Sequence, residues 1–534
     1  MSMLRTEERN GRRYLIDVNP ATLEVNDEIK MLNEDEVKKV VDKAEKSFDK
    51  WSSISFDDRA AFLLKVKNIL LEDLDEVAVT ITRDMGKPKV EAVIADIMVA
   101  LDIISLYSKR GKKISQEYEI PLHLFKFIKK SKIAPRPYGV ISVISPWNYP
   151  FAIPMSGIVF ALLAGNTVVH KPASDTALVG LKIQNLFDKA GLPEGVMNTV
   201  ITPGAVAEKV LCAPPVRKVI FTGSTDIGKR ILKRCADNII PVVAELGGKD
   251  PMIVLEDVDI EYTSNAAVWA AFTNCGQVCA SLERLYVHKK IADDLIARVV
   301  EKTKELRIGN GEDPTTDVGP LVSESQLQTV MDHVNDAVAH GAKVLVGGKR
   351  REDLKGYFYE PTVLVNVNHS LKCIREETFG PTLPIMTFET DDEAIELAND
   401  TIYGLTASVF TKDKERGERI AKKVWAGSVL VNDHADSYGL VETPWQGVKE
   451  SGLGRSHSDD GFREFLYPQH ICIDNIPFGK RRPWWYPYSE EVYKVFKYAQ
   501  NAVFGSGVIP KASNLYQIVK GLITDPNMRK SMKF

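Results

Sequence analysis

The chain has 534 residues, of which 44% are hydrophobic and 26% charged, with 35 Gly and 27 Pro. Such a composition belongs to a globular protein of roughly three to four domains at about 150 residues each, and it excludes global disorder, collagen and coiled coil. A formal charge of −3 excludes a nucleic-acid binder driven by bulk charge, and six cysteines make no disulfide framework.

The first 20 residues mix Arg5, Glu7, Glu8, Arg9, Arg12 and Arg13 with few apolar residues, unlike a secretory signal. No uninterrupted apolar stretch approaches the ~20 residues of a membrane span. A cytoplasmic location is therefore expected. Residues 34–80 read as helices, because Leu63, Leu64, Val66, Ile69, Leu70 and Leu74 recur near helical spacing. A second helical stretch, Val90 to Ser108, follows the Gly86-Lys87-Pro88 break. Near residue 140 the pattern changes to short apolar runs at 139–144, 167–170, 218–221 and 251–255, with helix-like segments at 177–190 and 227–236. Strands alternating with helices imply βαβ units and a mostly parallel sheet. A second such stretch spans about 285–430, with strands expected at 285–287, 344–346, 383–388 and 428–431. The expected fold class is α/β, with two lobes.

Several motifs carry less than they suggest. Gly223-Ser224-Thr225-Asp226-Ile227-Gly228-Lys229 begins like a P-loop, but Arg230 stands where magnesium needs a hydroxyl. What survives is a Gly-Ser turn ahead of a helix, whose free N–H groups suit a phosphate. Gly452-Leu453-Gly454 lacks the third glycine of a dinucleotide fingerprint, and the nine histidines lack metal-ligand spacing, so no metal site is expected. Cys279 is different, because a Gly276-Gln277-Val278-Cys279 turn lets the backbone approach a ligand and brings N–H groups beside the sulfur. Upstream, Val242, Val243 and Ala244 deliver the Glu245 carboxylate to a strand end, where α/β enzymes place their sites.

Seven motifs in order resemble the aldehyde dehydrogenase superfamily over roughly residues 15–475. They are Ser145-Pro146-Trp147-Asn148-Tyr149-Pro150, His170-Lys171-Pro172-Ala173-Ser174, Phe221-Thr222-Gly223-Ser224, Glu245-Leu246-Gly247-Gly248-Lys249, Gly276-Gln277-Val278-Cys279, Glu376-Glu377-Thr378-Phe379-Gly380-Pro381 and Gly447 to Arg455. The resemblance implies a Rossmann-type cofactor domain (1–118 and 138–246, closed by 448–466) and an α/β catalytic domain (247–447). It also implies oligomerisation strands at 119–137 and 467–476, leaving 477–534 as a basic aromatic extension. By similarity Cys279 is the nucleophile, Asn148 and the Cys279 N–H hold the oxyanion, and Glu245 is the general base for thioester hydrolysis. The implied cofactor is NAD or NADP, with Ser145, Trp147, Lys171, Ser174, Gly223, Ser224, Leu246, Glu377 and Phe379 around it. Ser174 stands where many members hold a Glu that repels a 2′-phosphate, so NADP is permitted.

The same resemblance places Tyr149, Ile153, Val278 and Trp445 along the substrate tunnel. None is charged, which favours an uncharged aliphatic or aromatic aldehyde over a semialdehyde acid. A CoA-acylating relative would generally lack Glu245, and a catalytically silent protein would not keep Cys279, Glu245 and Asn148 together. Two departures stand out. Trp445-Gln446 replaces the usual Phe-Gly, and Ser456 stands where a Glu is frequent, leaving a secondary acid/base role unsupported. In the family a hairpin and a late strand pair across subunits. Leu124-Phe125-Lys126-Phe127-Ile128 as an alternating strand, with 467–476, predicts a homodimer or homotetramer. Residues 475–534 carry ten Lys or Arg against three acids, leaving −10 for the rest. A helix starting at Ser489 is expected to show Val492, Val495, Phe496, Ala499 and Val503 on one face. The favoured reading packs that face on the enzyme body or a neighbouring subunit; the other lays it on an anionic membrane.

Overall fold

The computed structural model describes residues 6–126, 128–475, 482, 484–506, 508–524 and 526. Residues 140–245 build a six-stranded sheet. Its order is Gly452–Leu453, Val242–Glu245, Val216–Thr222, Val140–Ile144, Thr167–Lys171 and Met197–Thr199, parallel except for the first strand. Strands Val140–Ile144 and Thr167–Lys171 are buried almost throughout, as continuous apolar runs in parallel sheets require. Helix Ala152–Ala164 is buried at every position, which explains why its sequence is apolar all round. Strand order reverses between Val140–Ile144 and Val216–Thr222, and the crevice at their carboxyl ends is where such sheets bind ligands.

A seven-stranded sheet runs Lys343–Val346, Thr362–Val365, Thr382–Phe388, Leu282–His288, Asp250–Val254, Thr406–Phe410 and Ser428–Val431. Only its first pair is antiparallel. The α/β fold expected from the sequence is therefore present, with strands near the expected places. An N-terminal meander, Thr6–Arg9, Arg12–Val18 and Val25–Lys30, was not anticipated. Its strands are largely charged and exposed, so they carry little apolar alternation.

A separate unit comprises residues 116–135 and 468–534. Its small sheet orders Leu466–Asp474, Lys129–Pro137 and Tyr118–Ile120, so the two stretches expected to pair across subunits lie in one sheet of one chain. The strand expected over 124–128 is instead a turn, with Lys129 N–H donating to Phe125 O at 2.8 Å; Phe127 and Ile476 lie outside the described residues. Alternation alone misread it because Leu124 and Phe125 stay exposed. The expected tail helix is Glu490–Phe504, capped by Ser489, whose side chain accepts from Val492 N–H at 3.2 Å. A second helix, Val508–Thr524, packs against it. Val492 and Val495 are buried with Phe496 and Ile518 against them, while Val503 remains half exposed. Much of the face read as seeking the enzyme body or a membrane is thus covered by the second tail helix, which the sequence reading had not separated. No helix among the described residues is long and apolar enough to cross a membrane.

Candidate active site

The carboxyl ends of the first sheet meet the amino ends of the second around a cleft. Trp147 and Asn148 follow strand Val140–Ile144, Gly223 and Ser224 follow Val216–Thr222, and Leu246 follows Val242–Glu245. Cys279, Glu377 and Phe379 enter from loops preceding Leu282–His288 and Thr382–Phe388. Eight of the expected site residues therefore line one cavity. Thr222, Gln326 and Thr329 line it too; the sequence reading missed the two helix residues because Glu324–Ala339 carries no motif.

The Cys279 loop is held from several sides. Asn274, Cys275 and Gly276 are all left-handed, at φ of 50°, 58° and 69°. A Cβ at Gly276 would lie 2.2 Å from Gly380 O, so only glycine fits. Glu91 accepts from the Thr273 hydroxyl and the Asn274 N–H, both at 2.9 Å. The Asn274 amide donates to Asn148 O and to Gln277 O, each at 3.1 Å. Gln277 Oε1 in turn accepts from Val322 N–H at 2.9 Å. Strained backbone persists where its surroundings over-determine it, and here that web ties the sulfur-bearing turn to the Asn148 turn.

Burial raises the Cys279 thiol well above its ordinary range, helped by the carboxylates of Glu245, Asp250 and Glu377 and opposed by the Ala280 N–H. Glu245 is pushed up to about 8 by burial, with the Trp445 indole and Thr222 hydroxyl favouring the charged form. It does not line the main cleft but a small neighbouring cavity, where its Oε1 accepts from the Ser456 hydroxyl. Beside the sulfur, Val278, Ala280, Leu405 and Trp445 form an apolar cluster with Tyr149 and Tyr438. Tyr438 and Trp445 meet edge to face at 5.1 Å. Ile153, expected along the tunnel, lines the Glu245 cavity together with Tyr438.

The cofactor side shows a cradle. Helix Thr225–Asp237 begins at Ser224 without a side-chain cap, leaving its first N–H groups and positive dipole end for a phosphate. A Cβ on Gly247 would meet Glu377 Oε2 at 2.6 Å, and Glu377 Oε1 accepts from Gly248 N–H at 2.8 Å. Burial pushes Glu377 up to about 8, with Glu283 adding to it. Phe379 stands edge-on to Trp147 at 5.2 Å. Lys171 and Ser145 sit deeper, at the strand ends: Ser145 N–H donates to Lys171 O at 3.1 Å, and Ser145 Oγ bonds His170 Nε2 at 2.9 Å. Burial lowers Lys171 to about 8, and Asp175 opposes this from the short turn Ser174–Thr176. These features fit a dinucleotide.

A profile of the aldehyde dehydrogenase family matches residues 6–471. The 4,4'-diapolycopene aldehyde oxidase of Methylomonas sp is 39% identical over 456 residues, covering 85% of this chain and 84% of that protein. The crystal structure of an NADP-dependent enzyme from E. coli superposes with a TM-score of 0.83 at 34% identity, covering 87% of this chain and 95% of that one. Betaine aldehyde dehydrogenase from Staphylococcus aureus in complex with NAD+ superposes at 0.85 with 31% identity, covering 91% and 97%. Fold, cleft and relatives agree: the chain belongs to the aldehyde dehydrogenase family and is an NAD(P)-dependent aldehyde dehydrogenase.

Proposed function

We propose that the enzyme oxidises an uncharged aliphatic or aromatic aldehyde to its carboxylic acid through a thioester on Cys279, hydrolysed with Glu245 as base. The apolar cluster beside the sulfur carries the substrate reading. Tyr149, Val278, Leu405, Tyr438 and Trp445 present a continuous apolar and aromatic surface to an aldehyde's side chain. The ammonium of Lys87 over Tyr149, 3.8 Å from the ring centroid, is already paired with Asp96 at 2.7 Å in full burial. A substrate carboxylate would go unpaired there, at a cost of several kcal/mol. The Methylomonas relative, named for 4,4'-diapolycopene aldehyde, accords with this reading.

Cys279 Sγ attacks the aldehyde carbon, its proton having left, and gives a thiohemiacetal. The oxyanion is met by the Asn148 amide and the Cys279 N–H, donors set before charge develops. The bound nicotinamide supplies the hydride acceptor. Gly223 and Ser224 would hold the pyrophosphate, while Lys171 and Glu377 would hold the two riboses, with Trp147, Leu246 and Phe379 packing around them. Ser174 leaves room for a 2′-phosphate, so NADP is served as well as NAD. Glu245 then takes a proton from water as it attacks the thioester, releasing the acid and the Cys279 thiolate. Comparing kcat/KM for hexanal, benzaldehyde and succinate semialdehyde with both cofactors tests this. Preference for the semialdehyde would overturn the substrate reading, and acid release only with coenzyme A would overturn hydrolysis.

The same reading includes a homodimer or a dimer of dimers. The small sheet has Tyr118–Ile120 at one edge and Leu466–Asp474 at the other, with Tyr118, Ile120, Tyr467 and Ile473 exposed. Unpaired apolar edges are a liability that assembly removes. A monomeric mass by light scattering at micromolar concentration would contradict it.

A further inference from the structure

The base-side cavity holds a residue for which the reaction scheme above has no role. Glu245 ends a strand whose last residue pairs with Gly452, so the chain from 452 onward passes alongside its carboxyl group. Ser456 lies there, with its hydroxyl donating to Glu245 Oε1 and its own N–H donating to Trp445 O at 3.0 Å. Trp445 is buried in the cluster beside Cys279. One short segment thereby connects the wall of the nucleophile's pocket to the base. Ser456 meets Oε1 of this carboxyl group, and the Trp445 indole and the Thr222 hydroxyl also face it. The other titratable groups facing this carboxyl are Tyr438 and Arg455 across the cavity and Cys279 beyond Trp445.

We propose that Ser456 is a positioning residue for Glu245, holding Oε1 so that the carboxylate is oriented and its ionised form favoured for thioester hydrolysis. This rests on the reading of Glu245 as the base. An O–H donor bonds a carboxylate more strongly than a neutral carboxyl, so the bond pulls the titration of Glu245 down against the upward push of burial. Ser456 lines the base-side cavity and not the main cleft. Its loss should therefore move deacylation and leave acylation in place.

The test compares Ser456→Ala, Ser456→Thr and Glu245→Gln by pre-steady-state and steady-state kinetics with hexanal between pH 6 and 10. Ser456→Ala should keep a parent-like burst of reduced cofactor while the rising limb of kcat moves up by about one pH unit. Steady turnover then falls about tenfold at pH 7 and recovers at high pH. Ser456→Thr, which keeps the hydroxyl, should restore the parent limb. Should the alanine variant fail to fold, Ser456→Cys, a weaker donor, carries the same test and should show a smaller upward shift. An unmoved limb in the folded alanine or cysteine variant, with Glu245→Gln still showing a burst and slow turnover, would overturn the role of Ser456 alone. Normal steady turnover of Glu245→Gln would overturn the base reading beneath it.

Discussion

The proposed nucleophile and the proposed base are held in opposite ways. Cys279 sits after three left-handed residues in a turn that Glu91, Asn148 and Val322 tie down from three other parts of the chain, the last through Gln277. Glu245 is met by three side chains, Ser456, Trp445 and Thr222, inside a small cavity next to the cleft rather than in it. A nucleophile must meet a carbon atom in a narrow geometry, and a distributed web gives that precision. A base has only to reach a water molecule, so a few donors gathered on its own side of the sheet suffice. The difference teaches that the nucleophile's backbone and the base's carboxyl group are secured by different means, one through a strained turn and the other through side-chain donors.

The strongest way to break the comparison is to remove the sulfur. Cys279→Ala should abolish dehydrogenase turnover while cofactor binding, followed by fluorescence quenching, persists. Measurable steady oxidation would dismiss Cys279 as nucleophile. Asn148→Ala, which removes one oxyanion donor, should lower kcat by about 10²–10³-fold with the burst slowed as well. A slowed steady rate behind a fast burst would mean that Asn148 serves deacylation only.

Loosening the web comes next. Gly276→Ala would put a methyl group against Gly380 O at a left-handed φ, and the Cys279 turn cannot keep its path. We expect loss of most activity together with a lower melting temperature, since overpacking and strain typically cost about 1–3 kcal/mol each. Full activity at an unchanged melting temperature would show that the turn tolerates repacking.

The base side is sharpened by pH. Burial raises Glu245 to about 8, so at pH 7 it is mostly protonated and unable to accept a proton. Where deacylation limits turnover, kcat should rise with pH, about tenfold per unit below the midpoint, and level off above it. A flat profile from pH 6 to 9 would remove Glu245 from the limiting step. The smallest effect lies outside the site. Ser489→Ala should cost the helix Glu490–Phe504 about 1 kcal/mol through its lost cap, visible as faster amide exchange there. The value of kcat/KM should not change; a fall would tie the tail to catalysis.

Much of this was legible in the sequence because the forces involved are local. Continuous apolar runs at 140–144 and 167–171 announce strands buried on both faces, and Gly276 announces a backbone that no side chain could follow. Other features left no local mark. The first strand of the N-terminal meander is charged and exposed, and the turn that Phe125 O closes with Lys129 N–H imitates a strand by alternation. Ile153 looks like any apolar helix residue, and only the packing of its helix turns it toward Glu245.

By itself the sequence determined the α/β alternation, the motif residues and the chemistry their functional groups permit, since residue type and spacing fix secondary structure and reactivity. Tertiary structure alone decided which groups meet. Ser456 reads as a missing acid in the sequence, yet folding carries it across 211 positions to the Glu245 carboxyl. The two tail helices likewise cover each other, with Val492 and Val495 buried against Ile518. Contacts of that range depend on the summed packing of two sheets and their helices, a quantity no short stretch of residues encodes.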